Sequence, residues 1–284
     1  TAVEQIGRMD PLKVGAPSLE VCNTWVSYIL LLGCGAAIYP QAIQRLYAGR
    51  SVRVLKRSLM VMAFMIIFVP EEARDIPTHG SICFHPSLLP KHRGPSSINW
   101  PIMAGATKTG LTIFWPDDGL DEGDILLQKE IDIGPDDTLG SIYFDNIFPL
   151  GVEAVLEAVD LVKAGDPPHI KQNDAVASYE SWCKKEHAEI DWAKSVDEVY
   201  NLIRGTNPAP GAWTTFNGDE LGIFDSVRVP GDGISGRVRE ITDEGISVQA
   251  VGGRVLVKRV RPAGDAKMPA SEWAASVGLK PGDT

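Results

Sequence analysis

Cysteine is scarce, and the few present are scattered. Positions 22, 34, 83 and 183 hold the four of them, with no Cys-x-x-Cys. That excludes a secreted-type disulfide framework and a dithiol redox motif, and it makes a reducing cytoplasm the simplest setting. His and Cys do not fall at ligand spacings, so no metal is assigned. Positive charge is also short: 27 Lys and Arg against 37 Asp and Glu leave a formal charge of -10. Phosphate backbones are held mainly by Lys and Arg, so a general polyanion-binding surface is disfavoured. From residue 181 onward 13 basic residues stand against 15 acidic ones, poor material for gripping a nucleic acid. There is no Gly-x-Gly-x-x-Gly, no Walker loop, no Ser or Cys nucleophile constellation and no internal repeat. Between residues 21 and 43 charge is absent altogether, and Arg45, Arg50, Arg53, Lys56 and Arg57 follow closely. Two readings stay open there: a membrane-contacting helix with a cationic flank, or a buried helix followed by a solvated basic one.

What the sequence does have is concentrated between Cys83 and Asp124. The short apolar run 81–84 suits a buried strand, and Pro86 and Pro90 force the chain out of it, which leaves His85 at a strand end. A second β-rich run, 110–115, is ended by Pro116, and an acidic turn with Asp117, Asp118 and Asp121 follows. If the two strands are parallel neighbours, His85 and Asp121 converge at their carboxyl ends, where open α/β sheets place ligands. A neutral imidazole beside a carboxylate suits attack on a carbonyl: it steadies an oxygen gaining charge and helps to move a proton. On residue type alone the alternative, a structural His and a solvated acidic turn, stays open.

Around this core the chain divides by pattern. Residues 59–69 form an uninterrupted apolar run ended by Pro70, as expected of a central strand. A short helix is expected over 96–104, capped by Ser96 or Ser97 and stopped by Gly105, then an edge strand over 124–133. A long helix should begin near Pro135 and end at Gly165, with Pro149 kinking or breaking it. Residues 166–180 read as a linker. Beyond residue 181, one helix at 195–204 precedes five strands at 212–217, 221–229, 235–241, 245–251 and 254–260, which predicts a small antiparallel β-barrel, OB-like.

The motifs His85-Pro-Ser-Leu-Leu-Pro90 with Arg93-Gly94, and Gly119-Leu-Asp-Glu-Gly-Asp124 with 36 residues from His85 to Asp121, resemble the active-site signature of the folate-dependent formyltransferases. The members most resembled are the hydrolase domain of 10-formyltetrahydrofolate dehydrogenase and methionyl-tRNA formyltransferase. The resemblance implies 10-formyltetrahydrofolate as formyl donor, His85 and Asp121 as the catalytic pair, and a pterin wall at Met65, Ile66, Ile67 and Phe68. It also implicates Asp117 and Asp118 in folate binding and Cys83, Ser87 and Arg93 in the substrate loop. Transferases of the family usually carry Asn where this chain has Cys83, which with the acidic balance points to water or a small amine as acceptor; tRNA is the less favoured partner. A binding module without turnover is the competing reading.

Residues 15–60 resemble instead a segment of the sodium/solute symporter family, through 31–40, 44–48 and 57–59. The implied fold class is α/β: 1–61 an atypical helical segment, 62–165 an incomplete Rossmann-like formyltransferase sheet, 166–180 the linker, and 181–284 the carboxyl-terminal β-barrel.

Overall fold

Three strands carry the site. β1 (Cys83–His85), β2 (Lys108–Phe114) and β3 (Ile125–Asp132) form a sheet in that order. The computed structural model describes residues 74, 75 and 77–284, and the strand expected at 59–69, the pterin wall and the segments at 15–60 lie outside them. β2 is the central strand, and six of its seven residues are buried, Thr109 and Thr112 among them. β3 begins with the buried Ile125 and Leu126 and then alternates half-buried and exposed side chains, as an edge strand with one wet face should.

Every pairing in this sheet is antiparallel, which corrects the expected parallel arrangement. His85 lies opposite Thr112, and Cys83 opposite Phe114. Helix α1 (Asn99–Met103) lies in the connection, and the chain enters β2 from the end at which it left β1. The helix cap also differs: Ile98 sits at the N-cap without a side-chain bond, and Ser96 Oγ instead accepts from the Cys183 amide at 2.8 Å.

After β3, Thr138 and Ser141 cap a helical turn reciprocally, and a π-helical stretch, Ile142–Ile147, leads into α2 (Phe148–Ala164). Pro149 does not break the helix. It falls in the first turn of α2, where the change of winding leaves its missing N–H without a cost. Gly165, at φ 95°, ends α2 as expected.

The carboxyl-terminal part begins with α3 (Val196–Gly205), whose start is a Ser195/Glu198 capping box. Eight strands follow: β4 (Ala212–Phe216), β5 (Asp219–Ile223), β6 (Ser226–Val229), β7 (Val238–Thr242), β8 (Gly245–Ala250), β9 (Gly253–Val257), β10 (Arg259–Pro262) and β11 (Met268–Pro269). They make two antiparallel four-stranded sheets, β11-β10-β5-β4 and β6-β9-β8-β7. Among the described residues no closed barrel forms, so the OB-like part of the expectation is not confirmed. Two of the five expected strands are each divided where the chain passes from one sheet to the other. The breaks fall at Phe224–Asp225 and at Lys258, and the Lys258 amide donates to Asp225 O at 2.7 Å, tying them together. A further helix, α4 (Ala270–Val277), closes the shared core through Trp273 and Ala274.

Candidate active site

The loop that leaves β1 is braced from inside the sheet. Thr112 of β2 donates its hydroxyl to Ser87 O at 2.7 Å and accepts from the Leu89 amide at 3.1 Å. Gln128 of β3 donates to Leu89 O at 2.8 Å, and Ser87, fully buried, donates to Lys91 O at 2.7 Å. These bonds fix the path of residues 86–91 and deliver His92, Arg93 and Gly94 next to His85.

His85 is 6% exposed. Its Nε2 lies 2.8 Å from the His92 carbonyl oxygen, and since a carbonyl only accepts, Nε2 carries the proton. Nδ1 then faces Asp121, whose Oδ2 is 3.5 Å away. Burial pushes the His85 pKa below its ordinary value of 6.5, opposed by the Asp121 charge and the His92 carbonyl. The ring is accordingly neutral at pH 7, with a lone pair on Nδ1 directed at the carboxylate. Asp121 Oδ2 accepts from the Gly94 amide at 2.8 Å, and Oδ1 has no hydrogen bond among the described residues. A neutral imidazole nitrogen and a carboxylate at this separation form two proton acceptors side by side, able to receive a proton from a group placed alongside both.

His85 and Asp121 thus meet as expected, but by a different route. The antiparallel β2 carries the chain away from His85 to Trp115, and the acidic loop bends it back. Trp115 and Asp124 close that loop through an N–H···O bond of 2.8 Å, and Gly123 sits there because a Cβ would lie 1.7 Å from Trp115 O. Asp121 itself adopts φ 57°, a left-handed conformation rare outside glycine.

The other expected residues divide. Cys83 lies under the Asp121 charge, and burial first and that charge second push its thiol up to about 11, so it stays protonated. Ser87 faces the loop interior as a brace. Arg93 is 1% exposed and is held by Gln172, Asp174 and Tyr179. Asp117 accepts from the Gly119 amide within its own turn, and Asp118 pairs with Arg74, so neither contacts the His85–Asp121 pair. Met65, Ile66, Ile67 and Phe68 lie outside the described residues. Among the described residues no group of three His, Cys, Asp or Glu is arranged to hold a metal, and no helix is long and apolar enough to cross a membrane; residues 21–43 fall outside that search.

The stretch read as a linker is a strap across the site. Trp115 stacks on His169 with centroids 4.7 Å apart, and Ile170 bridges Ile125. Arg93 bridges Tyr179, and the His92 Nδ1–H donates to Glu180 at 2.7 Å. Sequence reasoning missed Gln172, Tyr179 and Glu180, whose polar neighbourhood carries no period or motif.

Comparison with known proteins places the chain in a lineage. Residues 39–158 match the formyl transferase family and 183–278 match the formyl transferase carboxyl-terminal domain. Methionyl-tRNA formyltransferase of Syntrophus aciditrophicus (strain SB) is 40% identical over 219 residues, 76% of this chain and 69% of that protein. The chain belongs to the formyltransferase family. A second formyltransferase-family relative, the cytosolic 10-formyltetrahydrofolate dehydrogenase of Xenopus laevis, is 40% identical over 292 residues, covering 96% of this chain. The chain spans 30% of that dehydrogenase's length. HypX from Aquifex aeolicus, solved in complex with tetrahydrofolic acid, shares the fold at TM-score 0.64 and 22% identity, over 78% of this chain and 39% of that one. The N-formyltransferase from Helicobacter canadensis shares it at TM-score 0.52 and 22% identity, over 62% and 65%. The family match begins at residue 39, inside the stretch that resembles a symporter. That resemblance finds no counterpart in these relatives, and the family reading replaces it for residues 39–60.

Proposed function

We propose that this chain removes the formyl group from 10-formyltetrahydrofolate and passes it to water or a small amine. The observation that carries the reading is the buried His85, proton on Nε2, with its free Nδ1 3.5 Å from the Asp121 carboxylate. 10-Formyltetrahydrofolate supplies an electrophilic carbonyl carbon bound to N10. His85 Nδ1 and Asp121 together take the proton of the attacking nucleophile, and the carboxylate holds the resulting imidazolium. The positive ring then stabilises the oxygen that gains charge, and Nδ1–H is the proton source for the departing nitrogen. This modifies the sequence-based expectation in one respect. The Nε2–H is already donated to His92 O, so stabilisation of the oxygen comes from the charge of the protonated ring instead of a hydrogen bond from a neutral one.

Two features support the choice of acceptor. The acidic balance beyond residue 181 is unfavourable for a tRNA, and Cys83, protonated and half-buried, offers no strong donor to position a large substrate. Met65, Ile66, Ile67 and Phe68 are retained as the proposed pterin wall, and a cytoplasmic setting as the proposed location.

The test is Asp121→Asn, which keeps an oxygen for the Gly94 amide while removing the charge. Turnover of 10-formyltetrahydrofolate, assayed with water alone and with added amines, should fall about 10²–10⁴-fold with the fold intact. Unchanged turnover sinks the assignment, and saturable folate binding by the unmodified chain without any deformylation identifies a binding module.

A further inference from the structure

Gln172 joins the two loops that hold the proposed catalytic pair. Its Nε2 donates to two carbonyls of the acidic loop, Asp121 O at 2.9 Å and Gly123 O at 2.7 Å. Its Oε1 accepts from Arg93 twice, from Nε at 3.2 Å and Nη2 at 2.8 Å. A side-chain amide has two N–H donors and two acceptor lone pairs, and all four are used here. The partners are the residues on which the pair depends. Arg93 stands between His92, whose carbonyl fixes the His85 tautomer, and Gly94, whose amide holds the Asp121 carboxylate. On the other side Gln172 grips the backbone of Asp121 itself, at the residue whose left-handed φ of 57° costs a non-glycine residue about 1–2 kcal/mol. A segment in that conformation drifts unless its carbonyls are held.

We propose that Gln172 is a positioning residue: by bonding both loops through one amide it sets the separation of His85 and Asp121, and so the rate of the proton transfer between nucleophile and pair. The inference rests on the formyl-transfer reading and goes beyond it, because Gln172 touches neither reacting side chain. A chelated amide of this kind differs from an ordinary surface glutamine in that removing its donors frees the acidic loop alone, while the sheet beneath keeps its own hydrogen bonds.

Two variants of the full chain test this. Gln172→Met has similar reach and no polar atoms; Gln172→Glu keeps the acceptor for Arg93, and so the anchor of the β1 loop, while it loses both donors and sets a carboxylate against the Asp121 and Gly123 carbonyls. For each, kcat with 10-formyltetrahydrofolate should fall about 10–100-fold, with KM for the donor changing by less than about threefold. Hydrogen exchange at the Gly94 amide, which reports whether Asp121 is in place, should accelerate about tenfold or more, while amides of β2 such as Leu111 and Ile113 keep their protection. Unchanged exchange at Gly94 overturns the proposal whatever the activity. Exchange that rises across β2 together with Gly94 also overturns it, since that reports general loosening. If the unmodified chain shows no turnover, the formyl-transfer reading fails separately, and the Gly94 amide still decides whether Gln172 positions Asp121.

Discussion

His85 carries the sharpest residue-level consequence. Burial holds its pKa below 6.5, so the neutral, proton-accepting ring persists to lower pH than a free imidazole would. The acid limb of kcat/KM should therefore lie below pH 6.5, and a limb above that value contradicts the environment described. Stability follows with the same sign. Below 6.5 the unfolded chain takes up a proton that the folded site resists, so this group makes the protein less stable as pH falls through the window beneath 6.5. A comparison of thermal unfolding at acid and neutral pH with that of His85→Gln isolates the contribution, which the variant lacks. Both His85 and Asp121 were legible in the sequence because each sits in a short motif bounded by Pro or Gly. Gln172 was not, because a residue that acts through backbone carbonyls needs only reach, and reach leaves no pattern.

At the scale of elements, the loop from β1 to α1 is pressed closely by the strap. Gly94 has φ 103°, and a Cβ there would stand 2.2 Å from Glu180 O, a carbonyl of the strap. Gly165, also in the left-handed region at φ 95°, has nothing within 4 Å of such a Cβ. Gly165→Ala should cost only the backbone strain, about 1 kcal/mol. Gly94→Ala carries that strain and must also push the strap away, so its loss should exceed the Gly165→Ala loss by about 1–3 kcal/mol. Denaturant midpoints of the two variants measure the difference; equal losses would show that the strap does not press on the loop. β2 and β3 were legible from the β-rich run that Pro116 ends and from the imperfect alternation that follows Asp124. The antiparallel sense of β1 and β2 was not, because a connection of this length, 86–107, allows either sense and no residue pattern distinguishes them.

Across the whole described structure, the three-stranded sheet and the carboxyl-terminal sheets are joined through α1 and α3. Asn99 is 8% exposed and donates to Gly205 O at 2.9 Å and Ala209 O at 3.2 Å. Gly205 leaves room for this approach, since a Cβ would lie 2.7 Å from Met103 Cγ. Asn99→Ala strands the buried Gly205 carbonyl and removes the bond to Ala209, and it should lower stability by about 1–3 kcal/mol. The lost bonds cross the junction, so fluorescence of Trp273, remote from the site, and turnover should fall at the same reduced denaturant concentration. Separate midpoints would mean that the two parts unfold independently. The partition into a catalytic sheet and a strand-rich second half was readable from the change of hydrophobic period near residue 181. The number of strands and the open sheets were not, because strands that pass from one sheet to another look uninterrupted in sequence, and only a corner such as Asp225 with Lys258 divides them.

The strap at 166–180 also gives synthesis a direction. A ribosome that has released the chain through residue 165 has delivered both proposed reacting groups, His85 and Asp121, but neither Gln172 nor Glu180, the residues that align their loops. Formyl chemistry before that point would run on unaligned groups, so competence arrives only with the next turn of chain, after the helix that ends at Gly165 is complete.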